Sequence, residues 1–244
     1  MNPQISLGSS LPGWSPFDAM NRIMSGFSDP AFGLIGHEKA QVCPQNYGAG
    51  TITIEMLERL QLSFPDTRFR LHANVRILNH GCQYDLGTTR RFPEFTEALV
   101  TLLRFLQEPY SIHAANNGTP LKRQYAEAGK LSDMAGVPVA IEGLYPSRRA
   151  NTLSTWKDYE SLLSADVLYA LDLSHLNIVH KVEGPAPQGL VDALVANPRC
   201  IEVHLSGNDG VSDRHLPCMG DEWWIPHLAH IHSDAVVFYE GRIH

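Results

Sequence analysis

The chemistry-bearing residues of this chain are histidines and acids, and they recur at the ends of apolar runs. Cys200-Ile-Glu-Val-His204-Leu-Ser-Gly is followed within a few residues by Asp213-Arg-His215. The first run reads as a buried strand carrying an imidazole. The second is an Asp-x-His pair on a Gly-rich loop, a chelating arrangement. His72, His113, Glu142 and the Asp172-Leu-Ser-His175 run likewise stand where apolar runs end, and Glu240 ends the last of them. Neutral imidazoles mixed with carboxylates suit zinc, manganese or iron. A lone strand histidine is more often a satisfied core residue, and Asp172 alone could merely cap the next turn. Buried carboxylates are harder to place without a cation, because an unpaired buried charge is costly unless its pKa shifts until it neutralises. Nine such residues exceed the roughly four to six positions of one ion, so two or three metals are implied. Glu142 is central enough in the order to bridge two of them. Asp172 and His175 share a strand end turning into a loop and need not bind the same ion.

Short strand-like runs alternate with longer amphipathic ones and must position these residues. Strands are expected at 4–10, 39–43, 69–75, 110–115, 137–143, 167–175, 200–205 and 235–241. Helical spacing fills 16–26, 53–62, 92–107, 120–135, 155–163, 190–196 and 222–232, with Pro16 in a first turn, Thr155 at a cap and Gly136 at an end. Eight strands, each followed by a helix except the last, is the (β/α)8 TIM-barrel pattern. A doubly wound sheet would more often carry a Gly-rich phosphate loop after its first strand, and Gly8-Ser-Ser-Leu-Pro-Gly13 is a poor match. Only four residues follow Glu240, so the final helix is expected to be missing. Either a rearranged neighbour fills its place or another chain does, whether a second copy or a peptide-presenting partner protein.

The 244 residues, 43% hydrophobic and 18% charged, suit a single domain over 1–244. A net charge of −7 and the lack of basic runs count against a nucleic-acid partner. No apolar run approaches the roughly 20 residues of a membrane span, and the N-terminus lacks signal-peptide features. Four cysteines without paired spacing point to a reducing, cytoplasmic setting.

Taken together, these residues resemble the divalent-metal TIM barrels: xylose isomerase-like sugar epimerases, endonuclease IV-type nucleases and multinuclear non-heme iron-dependent oxidative enzymes. The epimerases' single-metal set would be Glu142, Asp172, His204 and Glu240, which leaves His72, His113, Asp213 and His215 without a role. The nuclease family uses all nine positions for three zincs. The iron family is resembled in local text, namely Cys43-Pro-Gln-Asn46-Tyr47-Gly, Arg70-Leu-His72-Ala, Ile141-Glu142-Gly-Leu-Tyr145-Pro-Ser147, His204-Leu-Ser-Gly207 and Asp213-Arg-His215…Asp221-Glu222-Trp223. His175 stands where that family commonly has Asn, and Gly143 where it usually has Asn. The resemblance implies an O2-using iron enzyme that oxidises a peptide or small-molecule substrate, at a cysteine. It also implies a division of ligands: His72, His113 and Glu142 for one ion; Glu142, Asp172, His204 and Glu240 for a second; His175, Asp213 and His215 for a third. Glu142, Asp172, His204 and Glu240 would then be catalytic, with Asn46 and Tyr47 orienting substrate. Zinc or manganese are the alternative metals. Phosphodiester hydrolysis and sugar isomerisation or epimerisation are the alternative reactions. Arg148-Arg149 or Arg90-Arg91 could receive a substrate carboxylate.

Overall fold

Along Cys200–Leu205 the side chains alternate, with Val203 and Leu205 in the apolar core and Glu202 and His204 meeting side chains from other strands. That period of two is what a strand buried on both faces imposes when one face lines a polar interior. The computed structural model describes residues 2–46, 51–73, 75–78 and 82–243. Its strands are β1 (Gln4–Ser6), β2 (Gly36–Val42), β3 (Arg68–Leu71), β4 (Tyr110–His113), β5 (Val139–Glu142), β6 (Tyr169–Asp172), β7 (Cys200–Leu205) and β8 (Val236–Tyr239). They form one 8-stranded sheet in the order β3-β2-β1-β8-β7-β6-β5-β4, every ladder parallel. A bridge between His72 and Ser111 joins the two ends and closes the barrel. The expected TIM-barrel fold is therefore the observed one.

The helices are α1 (Pro16–Met24), α2 (Ile54–Ser63), α3 (Pro93–Leu106), α4 (Leu121–Ala135), α5 (Trp156–Ser161), α6 (Leu173–Glu183) and α7 (Leu190–Ala196). Ser15, Thr53 and Thr155 cap the first, second and fifth by accepting a backbone N–H, and Gly136 ends α4 in the left-handed region at φ +71°.

Three local expectations change. The first strand stops at Ser6, and Leu7–Ser10 is a helical turn. The sixth strand stops at Asp172, and α6 begins at once, so His175 rides on a helix and not at a strand end. The reason is Asp172 itself, whose Oδ1 accepts the N–H groups of Ser174 (2.7 Å) and His175 (3.1 Å). In place of a helix over 222–232 there is a 3-10 segment, Ile225–His230, with Pro226 in its first turn.

No helix follows β8 within the described residues, and another segment of the chain packs on its Tyr239. The chain between α1 and β2 folds into a small hairpin, Ser28–Asp29 against Gly33–Leu34. Phe27 and Phe32 pack on the Tyr239 ring, and Phe32 stacks on Trp224. Asp29 accepts the Tyr239 hydroxyl at 2.6 Å and the Cys218 N–H at 3.3 Å. Tyr239 is fully buried as a result. Among the described residues, no helix is long and apolar enough to cross a membrane.

Candidate metal centre

The inward positions at the C-terminal ends of seven strands carry Cys43, His72, His113, Glu142, Asp172, His204 and Glu240, joined by His175 from α6 and by Asp213 and His215 from the loop after β7. Of the nine expected ligands, His72, Glu142, Asp172, His175, His204 and Glu240 are buried, and His113, Asp213 and His215 are half-buried.

Donor atoms gather in three overlapping groups: His72–Glu142–His204, Glu142–Asp172–His175 and Asp172–His204–Glu240, each within 4.8 Å. Around them, His113 Nε2 lies 3.6 Å from Glu142 Oε1. His175 Nε2 lies 3.5 Å from Asp172 Oδ2 and 3.4 Å from Asp213 Oδ2. His215 faces Asp213 Oδ2 at 3.2 Å through Nε2, and Glu240 Oε2 at 3.5 Å through Nδ1. His204 Nδ1 is 3.6 Å from Glu142 Oε1 and 3.8 Å from Glu240 Oε1. Most of these separations exceed a good N–H···O distance of about 2.9 Å. Two donors about 2.1 Å from one tetrahedral ion stand about 3.4 Å apart, which is the spacing seen here. The buried atoms Glu142 Oε2, His204 Nδ1 and His215 Nδ1 have no hydrogen-bond partner. Orphaned lone pairs at this density are expensive unless a cation takes them, so the donor set fits metal.

The grouping differs from the expected one. His72 lies with His204 as well as Glu142, and His113 belongs to none of the three tight groups. His175 joins Glu142 and Asp172 while also reaching Asp213. Asp172 thus caps α6 with one oxygen and offers the other to the centre.

The imidazoles are oriented from behind. His175 Nδ1 sits 2.8 Å from the Gly143 carbonyl, so it donates there and leaves Nε2 free. Gly143 is required at that point, because a Cβ would collide with the Tyr159 ring. His204 Nε2 donates to Glu202 Oε1 at 2.8 Å, which leaves Nδ1 for the centre. Glu202 was not among the expected residues. Its signal was the alternation that puts it on the same strand face as His204. Ser111 Oγ donates to the same oxygen at 2.5 Å and lies 2.8 Å from His72 Nδ1. Glu240 Oε1 accepts from Ser6 and Ser9, each at 3.2 Å. His215 takes φ +48°, a left-handed conformation uncommon outside glycine, where its two ring nitrogens face Asp213 and Glu240.

Without a cation, the charges pair among themselves. Burial pulls the His204 imidazole down, but Glu240 and Glu142 outweigh it and hold its pKa well above the ordinary value. His175 follows the same pattern through Asp172 and Asp213. Burial opposes protonation of His215 as well, yet Asp213 and Glu240 push it up to about 9. Burial would raise Glu142, and the imidazoles of His72, His204 and His113 hold it well below the carboxylate range. His72 is the exception, since burial dominates and drops it to about 3, keeping it neutral.

Asn46 is buried, its Oδ1 accepts the Cys43 N–H at 3.1 Å and its amide donates to the Trp14 carbonyl at 3.2 Å, so backbone engages both ends of its side chain. Tyr47 lies outside the described residues. Arg90 is paired with Glu127 at 2.5 Å and Arg91 lies over the Phe92 ring, whereas Arg148 and Arg149 line a cavity of about 440 Å³ beside His113.

No protein-family model matches the chain, and no curated protein matches it. Solved structures do. A D-tagatose 3-epimerase-like protein aligns over 98% of this chain and 90% of its own, with TM-score 0.68 and 15% identity. The IolI protein with a bound zinc atom aligns over 98% and 88%, with TM-score 0.66 and 13% identity. Endonuclease IV from Thermus thermophilus aligns over 85% and 82%, with TM-score 0.51 and 17% identity. At such identities the likeness is one of fold: this chain is a TIM barrel shaped like the xylose isomerase-like and endonuclease IV-like barrels.

Proposed function

We propose that the chain is a multinuclear non-heme metalloenzyme, with iron and O2 as its chemistry and a small-molecule or peptide thiol as its substrate. The observation that carries the multinuclear reading is the set of three overlapping donor groups that share Glu142, Asp172 and His204. A mononuclear sugar isomerase needs only Glu142, Asp172, His204 and Glu240. It gives no reason for His215 to face both Asp213 and Glu240. The iron assignment is supported by the local text around Asn46, His72, Glu142, His204 and Asp221-Glu222-Trp223.

Glu142, His72 and His113 would hold one ion, and Asp172, His204 and Glu240 with Glu142 a second. His175, Asp213 and His215 would hold a third. Iron at such donors supplies one-electron redox chemistry toward O2 and a soft acceptor for a thiolate. The chain's own part is to keep the ligand lone pairs in place. Glu202 and the Gly143 carbonyl fix the tautomers of His204 and His175, and Ser6 and Ser9 hold Glu240. His113 is the most exposed of the nine, its side chain 36% accessible, and marks the side from which substrate reaches the centre.

Anaerobic reconstitution with ferrous iron, followed by Mössbauer spectroscopy and O2 uptake in the presence of candidate thiols, tests this reading. It predicts iron in more than one environment and thiol-dependent O2 consumption. A specific observation favours one rival: His175 Nε2 lies close to both Asp172 and Asp213, which builds up the third position used by zinc nucleases. A colourless protein that holds stoichiometric zinc and cleaves abasic-site DNA would establish that rival and end the iron reading.

A further inference from the structure

The cavity of about 440 Å³ beside the centre is the size of a small-molecule site. Its wall includes His113, whose Nε2 faces Glu142, and Tyr145, whose ring centroid lies 4.9 Å from that of His175. A molecule held there has one end at the metal-capable donors. Arg148 and Arg149 line the same cavity. Among the described residues neither guanidinium has a hydrogen-bond or ion-pair partner, in contrast to Arg70 and Arg90, which are tied to Glu108 and Glu127. Two unpaired cations in a single cavity ask for a ligand that is anionic at one end.

We propose that this cavity is the substrate site of the centre, and that it takes a small anion whose carboxylate or phosphate is gripped by Arg148 and Arg149. The inference rests on the metalloenzyme reading for what happens at the inner end, but not for the grip itself. The cavity's volume suits a free small molecule.

Calorimetric titration with four matched probes tests it: glycerol 3-phosphate, glycerate, glycerol and inorganic phosphate, each on metal-loaded and on chelator-stripped protein. Metal content is measured on the same samples. At least one of the two hydroxylated anions is expected to bind tenfold or more tighter than glycerol, and the tighter one names the anionic group. Glycerol 3-phosphate, if it is the tighter, is expected to exceed inorganic phosphate. The double variant R148Q/R149Q should lose that anion's binding tenfold or more with metal content unchanged. Both arginines are exposed, so the variant is expected to fold, and circular dichroism checks it. Equal binding of glycerol and both anions, or anion binding untouched by R148Q/R149Q, would overturn the proposal. Wild-type protein that takes up no metal yet shows the Arg-dependent anion binding would sink the enzyme reading alone.

Discussion

Two buried polar layers lie one behind the other inside this barrel, and they are completed differently. The inner one centres on Glu202, whose carboxylate accepts from Gln41 (2.7 Å), Ser111 (2.5 Å), His204 (2.8 Å) and Arg70 (3.3 Å). Arg70 in turn reaches Glu108 at 3.2 Å and lies over the Phe238 ring. Among the described residues of that layer, Gln41 Oε1 is the one buried side-chain atom without a partner. The rim layer, from Glu142 to Glu240, is as deeply buried in most of its members, yet it leaves Glu142 Oε2, His204 Nδ1 and His215 Nδ1 orphaned. The protein satisfies every charged group of the first layer by itself, leaving only the neutral Gln41 Oε1 unpaired among its described residues. It leaves in the second donors that a cation would satisfy. The difference separates structural buried charge from functional buried charge, although composition alone would not distinguish them.

The largest effect that would break this contrast is metal removal. Ions present at about a thousand times their dissociation constant stabilise by about 4 kcal/mol, or roughly 8–16 °C for a chain of this size. Thermal melts with and without chelator should therefore differ by that order, and coincident melts would place the rim on the same footing as the inner layer.

Breaking the inner layer should cost about 3–5 kcal/mol whether or not metal is present, because Arg70→Met leaves Glu202 and Glu108 buried and short of a partner. Glu142→Gln should instead cost more in the metal-loaded protein than in the stripped one, where it removes only the pairing with the imidazoles, and should abolish the metal-dependent part of the melting temperature. Urea melts of the two variants in both states check the crossing pattern. A similar loss for both would erase the distinction.

Where the layers touch, Glu202→Gln should weaken metal binding about 10–100-fold by loosening the His204 tautomer, read by competition with a chromophoric chelator. Unchanged affinity would mean that Glu202 serves only Arg70.

The smallest effect is in pH. In stripped protein the folded-state pKa of His215 is raised from 6.5 to about 9, by Asp213 and Glu240 acting against burial. A raised pKa means that its pairing contributes fully below 6.5 and is lost as pH rises through about 9. Stripped protein should lose stability across that window, while metal-loaded protein, in which His215 must be neutral to bind, should lose less. Parallel pH profiles would contradict the assignment of His215.

Much of this arrangement was legible in the residues themselves. The seventh strand was read at its observed bounds because an apolar run flanked by polar residues has few other uses. The helix caps at Thr155 and Gly136 are where local hydrogen-bonding rules put them. The gathering of these histidines and acids at one rim was legible because ionisable groups at buried strand ends need a partner. What stayed hidden depends on contacts across the barrel. Glu202 looks like one acid in an apolar strand until Arg70, Gln41 and Ser111 converge on it from three other strands. His175 read as the end of a strand because Leu173 continues the apolar run, and the cap made by Asp172 is visible only once the helix exists. The hairpin that covers β8 was equally hidden, since Phe27 and Phe32 lie more than two hundred residues before Tyr239 in the chain.

The central claim is that the rim holds more than one metal ion. Elemental analysis of protein purified without chelator, beside Asp213→Ala and Glu142→Ala, tests it most directly. The account predicts two or three ions per chain, a loss of one in Asp213→Ala and of more than one in Glu142→Ala. One ion per chain that survives Asp213→Ala, or none at all, would contradict it.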